Sequence, residues 1–221
     1  MKLMPVLMLK WLRVLALDRK TSTKVRRFKL PRLILWLLPF VDSLAIRFLN
    51  LKPLRRDTIG TINIRIKRYR GRSIRLECGT EIKPGDLLIE LHLNNAWFLH
   101  QRKIAASFTS QAWALVSAFT DDLRYLAKQL AAERFSPEIK ALYSVPPFHA
   151  AAPRLGFTVL EMPQGLRKFL NQFYFDSLRQ AYYLGGAERL ITRTTPLEPK
   201  EMWISRVKFL QKYGPKETEE S

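Results

Sequence analysis

At 221 residues, with 47% hydrophobic and 26% charged positions, the chain is long enough for one sizeable core plus an appendage, and its composition is globular rather than disordered. A formal net charge of +19 points to an anionic partner, with nucleic acid, anionic lipid and acidic glycan all allowed. The single cysteine, Cys78, excludes an internal disulfide and a cysteine-based metal cluster; it reads as a small buried residue at the end of a strand.

The charge is concentrated at the start. Residues 1–56 carry 14 Lys and Arg against Asp18 and Asp42, a net +12, whereas the other 165 residues carry 24 against 17 acids, a net +7. Residues 5–17 read as a short helix, apolar nearly all round, with Pro5 at its start. Lys10 interrupts its apolar run and no small-x-small site follows, so it makes a poor secretory signal, and it is too short to span a bilayer. A second apolar helix is expected over Pro31 to Asn50, with Pro39, Ser43, Arg47 and Asn50 at helical spacing. Between them runs the basic linker Arg19 to Lys29. Two apolar helices, Trp11, Trp36 and a polybasic connector are the ingredients of an element that lies on an anionic membrane surface; packing on the main domain is the plainer alternative.

From Thr58 the pattern changes to period two. Ile62, Ile64 and Ile66 alternate with polar residues and predict a strand, and Arg70 to Ser73 predicts a turn into a second strand, Ile74 to Cys78, forming a hairpin with the first. Pro84-Gly85-Asp86 then leads into Leu87 to Leu93, where Glu90, His92 and Asn94 alternate with Ile89, Leu91 and Leu93. On a strand these three polar groups share one face at about 7 Å spacing. A 3.6-residue stripe of Leu115, Phe119, Leu123, Leu126 and Leu130 predicts a helix over Ala112 to Arg134. Ser136-Pro-Glu-Ile reads as the cap and first turn of another helix. Thr158 to Met162 is a fourth strand, and two further helices are expected within Gln164 to Leu184 and over Lys200 to Tyr213, before a tail at 216–221. The fold class is α+β: a mixed sheet of about four strands with packed helices, over residues 57–215, preceded by the two basic apolar helices of residues 1–56.

Several chemistries have no motif here. There is no phosphate-binding glycine loop of either common type, no G-x-S-x-G elbow, and no metal-ligand spacing among His92, His100 and His149. No cofactor or metal is expected. What remains is Glu90 beside His92, a carboxylate able to orient an imidazole that serves as a general base, with Asn94 and Asn95 as contacts to a substrate oxygen. Arg154, just before Gly156 and a strand, is a candidate clamp for a carboxylate or phosphate, or else an ion-pair partner of Glu161. Arg65, Lys67 and Tyr69 on the expected basic hairpin offer an alternative, a groove for a nucleic-acid backbone with a stacking platform.

The region from about Gly60 to Gly214 resembles the YkoP-like domain. The resemblance rests on Lys83-Pro-Gly-Asp-Leu-Leu-Ile-Glu-Leu-His-Leu-Asn-Asn95, on Arg154-Leu-Gly-Phe157, and on Met202-Trp-Ile-Ser-Arg206 followed by Tyr213-Gly214; residues 1–56 lie outside it. Members occur alone or attached to polysaccharide deacetylases. The Asp/His metal triad of a deacetylase is missing, so that reaction is not carried over. What the resemblance implies is a setting in cell-envelope glycan or lipid-linked sugar metabolism. The resulting expectation is a peripheral protein at the inner face of the cell membrane that presents Glu90, His92, Asn94, Asn95 and Arg154 to a glycan or lipid-linked sugar. Two alternatives stand beside it, a nucleic-acid-binding protein and a transferase with His92 as general base. Whether the ligand is turned over, and the oligomeric state, are open at this point.

Overall fold

The computed structural model describes residues 43–44, 46–104, 108–146, 152–182 and 198–215, with only the backbone at 102–104, 108–113 and 176–182. The chain divides into a unit Met1–Pro31, outside the described residues, and a unit Arg32–Ser221, to which everything below refers. The expected N-terminal helices lie almost wholly outside the description; 43–44 and 46–48 are helical.

The elements in chain order are β1 (Lys52–Pro53), β2 (Ile62–Arg68), β3 (Ile74–Arg75), β4 (Glu81–Ile82), β5 (Leu87–Leu93), α1 (Asn95–Ile104), α2 (Phe108–Ala131), β6 (Ile139–Ser144), β7 (Thr158–Glu161), α3 (Leu166–Tyr182), β8 (Lys200–Ser205) and α4 (Arg206–Tyr213). This is an α+β fold. Six strands form a mixed sheet in the order β1-β2-β5-β6-β8-β7, and β3 and β4 form a separate two-stranded sheet. All contacts in the large sheet are antiparallel except β5 with β6. That parallel pair needs a long crossover, which α1 and α2 supply.

The first face of the sheet holds the main core. Ile62 and Ile64 of β2, Ile89 and Leu91 of β5, Leu142 of β6, and Met202 and Ile204 of β8 pack against Leu123, Leu126 and Leu130 of α2 and Phe209 and Tyr213 of α4. From Phe119 to Leu130 the helical stripe read from the sequence is therefore the core face of α2. Each fully buried Leu contributes about 1.5 to 3 kcal/mol by leaving water. Asp122, on the same helix, is buried and ties α2 to the β1–β2 connection: Thr61 N–H and Thr61 Oγ1 both donate to Oδ2 at 2.6 Å, and Arg55 Nε donates to Oδ1 at 2.6 Å.

Four expectations are corrected. First, β2 and β3 form no hairpin. β2 pairs with β5, while β3 and β4 fold over the other face of the sheet, where Leu76 and Ile82 meet Leu88, Ala141, Tyr143 and Trp203. Second, the segment after Ser136 is a strand. Its capping signal is real, since Ser136 Oγ accepts from Glu138 N–H and Ser136 O accepts from Ile139 N–H, yet it closes only one turn. Ile139 and Leu142 then bury on one face, and Ala141 and Tyr143 on the other, as a central strand requires. Third, Lys200 to Ser205 is strand β8. The last helix starts only at Arg206, with Ser205 as its N-cap, accepting from Lys208 N–H at 3.2 Å. Cys78 is also exposed rather than buried, because it lies in the turn between β3 and β4.

Candidate functional site

Register brings one line of side chains together across five strands. Arg65 faces Glu90, Glu90 faces Tyr143, Tyr143 faces Trp203, and Trp203 faces Thr158. Period two puts all of these on the second face of the sheet, away from α2 and α4. Asn63 and His92 form the neighbouring row on one side, and Lys67 and Leu88 the row on the other.

Glu90 is the centre of this face. Arg65 Nε donates to its Oε2 at 2.6 Å, and Lys67 Nζ lies 3.1 Å from Oε1. His92 Nε2 stands 3.5 Å from Oε2; it is buried and has no hydrogen-bond partner among the described residues, so this contact is a charge attraction available to the protonated ring. Burial alone would push the Glu90 carboxyl up. His92, Lys67 and Arg65 outweigh it and hold the group well below the usual carboxylate range. The side chains around it are more open than Glu90: Glu90 is 8% exposed, against 26% for Arg65, 25% for Lys67 and 28% for His92.

A second carboxylate sits beyond Tyr143. Trp203 Nε1 donates to Glu201 Oε2 at 3.2 Å, and Tyr143 Oη donates to Glu201 Oε1 at 3.3 Å. Arg167, near the start of α3, reaches Glu201 Oε1 at 3.3 Å and also contacts the Tyr143 hydroxyl. The Lys67 ammonium lies 4.7 Å from the centre of the Tyr143 ring and the Arg167 guanidinium 5.5 Å from it. Burial, reinforced by Glu201, pushes the Tyr143 phenol far up, so it stays a neutral hydrogen-bonding group. Burial lowers the Lys67 ammonium despite the pull of Glu90, and Arg65 and Arg167 add to the lowering.

The structure joins Glu90 to His92 and separates them from the other expected site residues. β5 ends at Leu93, and Asn94 caps the chain's entry into α1: its Nδ2 donates to Gly60 O at 2.8 Å and its Oδ1 accepts from Ala96 N–H. Asn95 is buried and donates to Tyr174 Oη at 2.8 Å, linking α1 to α3. Arg154 lies exposed in a turn held to α4, where Lys212 Nζ donates to Arg154 O and Tyr213 Oη donates to Leu155 O. That helix covers the opposite face of the sheet. Nor does Arg154 pair with Glu161, which takes Lys200 at 2.6 Å. His100 is exposed on α1, His149 lies outside the described residues, and no group of three potential metal ligands occurs among the described residues.

Sequence reasoning missed Arg167, Tyr143 and Glu201 as members of this face. It did see Arg65 and Lys67, as one wall of a basic hairpin. Their side chains instead turn onto Glu90, and Tyr69 is no free platform: its ring packs edge-on to Trp203 at 5.5 Å and its hydroxyl donates to Arg72 O.

Fold and face together define an α+β protein with a two-faced mixed sheet, apolar against α2 and α4 on one face and, on the other, a charged cluster beside the small apolar core under β3 and β4. Residues 31–213 match the family described as the YkoP domain, and the chain belongs to that family. The match begins at residue 31, so it takes in part of the segment that the residue-level resemblance left out. The chain is also similar to the protein described as "Uncharacterized protein YkoP" from Bacillus subtilis (strain 168), at 23% identity over 120 residues, which are 54% of this chain and 66% of that protein. No solved structure matches. Among the described residues no helix is long and apolar enough to cross a membrane.

Proposed function

We propose that this protein binds a polar ligand of the cell envelope, a glycan or a lipid-linked sugar, on the sheet face around Glu90, as a peripheral protein at the cytoplasmic surface of the cell membrane. The observation that carries the binding half is the arrangement of Arg65, Lys67 and His92. Each is about a quarter exposed; Arg65 and Lys67 are oriented by a carboxylate that is itself almost fully buried, and His92 faces the same carboxylate at 3.5 Å. A carboxylate so placed fixes the directions of the cations around it and leaves their outer donors free to meet a ligand. Glu90 has the role of an anchor, since its lone pairs are committed to Arg65 and Lys67 and its proton affinity is depressed. The membrane half is supported by the net +12 of residues 1–56 and their two apolar segments.

The test uses the full chain. Sedimentation with vesicles of phosphatidylcholine, with and without phosphatidylglycerol, is expected to need the anionic lipid, to weaken steeply with salt, and to be lost when Arg26, Arg27 and Lys29 are changed to Gln. Sedimentation indifferent to these changes refutes the membrane half. Arg65→Gln is expected to weaken binding to a glycan or lipid-linked sugar without changing vesicle attachment.

A second reading has one observation in its favour. The imidazole of His92 faces Glu90 at 3.5 Å, the pairing that orients a general base in a transferase. It predicts that His92→Gln abolishes turnover of a bound ligand while leaving affinity intact; loss of affinity alone favours binding.

A further inference from the structure

We infer that the group recognised on this face is a phosphate ester, held by Lys67 and Arg167, the two cations that meet at the Tyr143 ring, with Arg65 two residues from Lys67 on β2. This rests on the binding reading of the same face and goes further by naming the ligand's chemistry. Lys67 and Arg167 come from different elements, β2 and α3, yet both converge on one aromatic ring, at 4.7 and 5.5 Å from its centre. Arg65, Lys67 and Arg167 are three cationic side chains facing two carboxylates, Glu90 and Glu201, so the face carries an excess of positive charge. Neutral sugar hydroxyls leave that excess uncompensated. A carboxylate brings one charge and two acceptor oxygens, enough for one fork. A phosphate monoester brings nearly two charges and three acceptor oxygens, enough to meet Arg65 and Lys67 from β2 and Arg167 from α3 together.

Donors remain for it. A guanidinium has five N–H groups and an ammonium three, and the contacts to Glu90, Glu201 and Tyr143 use only part of each set. Access is open on the Arg167 side, whose side chain is 57% exposed. Burial is the main cause that lowers the Lys67 ammonium, and the smaller push from Arg65 and Arg167 adds to it; an anion beside these side chains would relieve that repulsion.

Calorimetric titration of the full-length protein with glucose, glucose 1-phosphate and inorganic phosphate, and with undecaprenyl phosphate in phosphatidylcholine vesicles, tests this directly. Glucose 1-phosphate is expected to bind more tightly than glucose, and Arg167→Gln and Lys67→Gln are each expected to weaken it about tenfold. Arg154→Gln, on the other face of the sheet, is expected to leave it unchanged. Arg167 is half exposed, so its variant is expected to fold, and thermal melts of all variants verify this. Equal affinity for the vesicle-borne and soluble phosphates assigns a soluble ligand, and preference for the vesicle assigns a lipid headgroup; both support the inference. Equal binding of glucose and glucose 1-phosphate that still depends on Lys67 overturns the phosphate assignment while leaving the ligand-binding face standing. Absence of binding, or binding indifferent to both Lys67 and Arg167, overturns both.

Discussion

Arg65 Nε donates to Glu90 Oε2 at 2.6 Å from the residue directly opposite it on the neighbouring strand. Such a cross-strand pair needs no long-range adjustment, because antiparallel register already sets the two Cβ atoms about 5 Å apart. Lys67 then joins from two residues along β2, and His92 from two residues along β5. Glu90 thereby ties side chains of both strands into one charged cluster.

Replacing it is expected to be costly. Glu90→Gln leaves two partly buried cations without their counter-charge and is expected to destabilise the protein by about 2 to 3 kcal/mol, below the range for a wholly buried pair because Arg65 and Lys67 can rehydrate. The pH sign follows from the direction of the shift. Glu90 is held below its ordinary 4.5, so its contribution is fully present above about pH 4.5 and is lost as pH falls toward the folded-state value. Urea midpoints measured through the acid range should fall more steeply for the native protein than for Glu90→Gln. Parallel curves would show that Glu90 is not held charged by its neighbours.

Asp122 is expected to be a structural counterpart on the other face. It accepts three hydrogen bonds at 2.6 Å, one of them from the buried Thr61 N–H. Asp122→Ala strands that donor and the Arg55 charge together, with an expected loss of about 3 kcal/mol in urea unfolding. Ligand and vesicle binding should not change beyond what the loss of folded protein explains, since α2 lies across the sheet from Glu90.

Legibility in the sequence divided along physical lines. The helix at Leu123 to Leu130 was readable because it has one buried face, and the strand at Glu90 because its second face, though buried, carries Glu90 and His92 between the apolar Ile89, Leu91 and Leu93; in both, the period is written into the residues. β6 and β8 are buried on both faces, so Ala141, Leu142 and Tyr143, or Met202, Trp203 and Ile204, form short apolar runs that a helix would share. The site was readable only within one strand. Glu90 and His92 are two residues apart, but Arg65 is 25 residues from Glu90, and Tyr143 is 58 from Glu201. Those meetings depend on strand order, which no local pattern encodes. Asn94 continued the alternation in letters alone, since its side chain takes the backbone out of the strand.

Gly156 offers a test of the turn that carries Arg154. Its φ of +81° is in the left-handed region, and a Cβ there would lie 2.9 Å from Lys212 Cδ. The lysine chain can move aside, so the backbone conformation is the main cost, about 1 to 2 kcal/mol for Gly156→Ala. Thermal unfolding should register this loss while phosphate binding stays unchanged, because the turn packs on α4 rather than on the charged face.

Tyr213 gives the chain an alkaline limit with a defined origin. Burial pushes its phenol up to about 12, and its hydroxyl donates to Leu155 O at 2.9 Å, a bond the phenolate cannot make. The unfolded chain ionises this group near 10, so its contribution to stability is complete below that pH and is lost as pH rises toward 12. Tyr213→Phe removes the hydrogen bond and the titration together. It is expected to cost about 1 kcal/mol at neutral pH and to flatten the decline of the urea midpoint above pH 10. In ultraviolet titration the native protein should show one phenolate appearing near pH 12 that the variant lacks. An unchanged alkaline profile in Tyr213→Phe would mean that other groups, not the α4 tyrosine, govern unfolding in base.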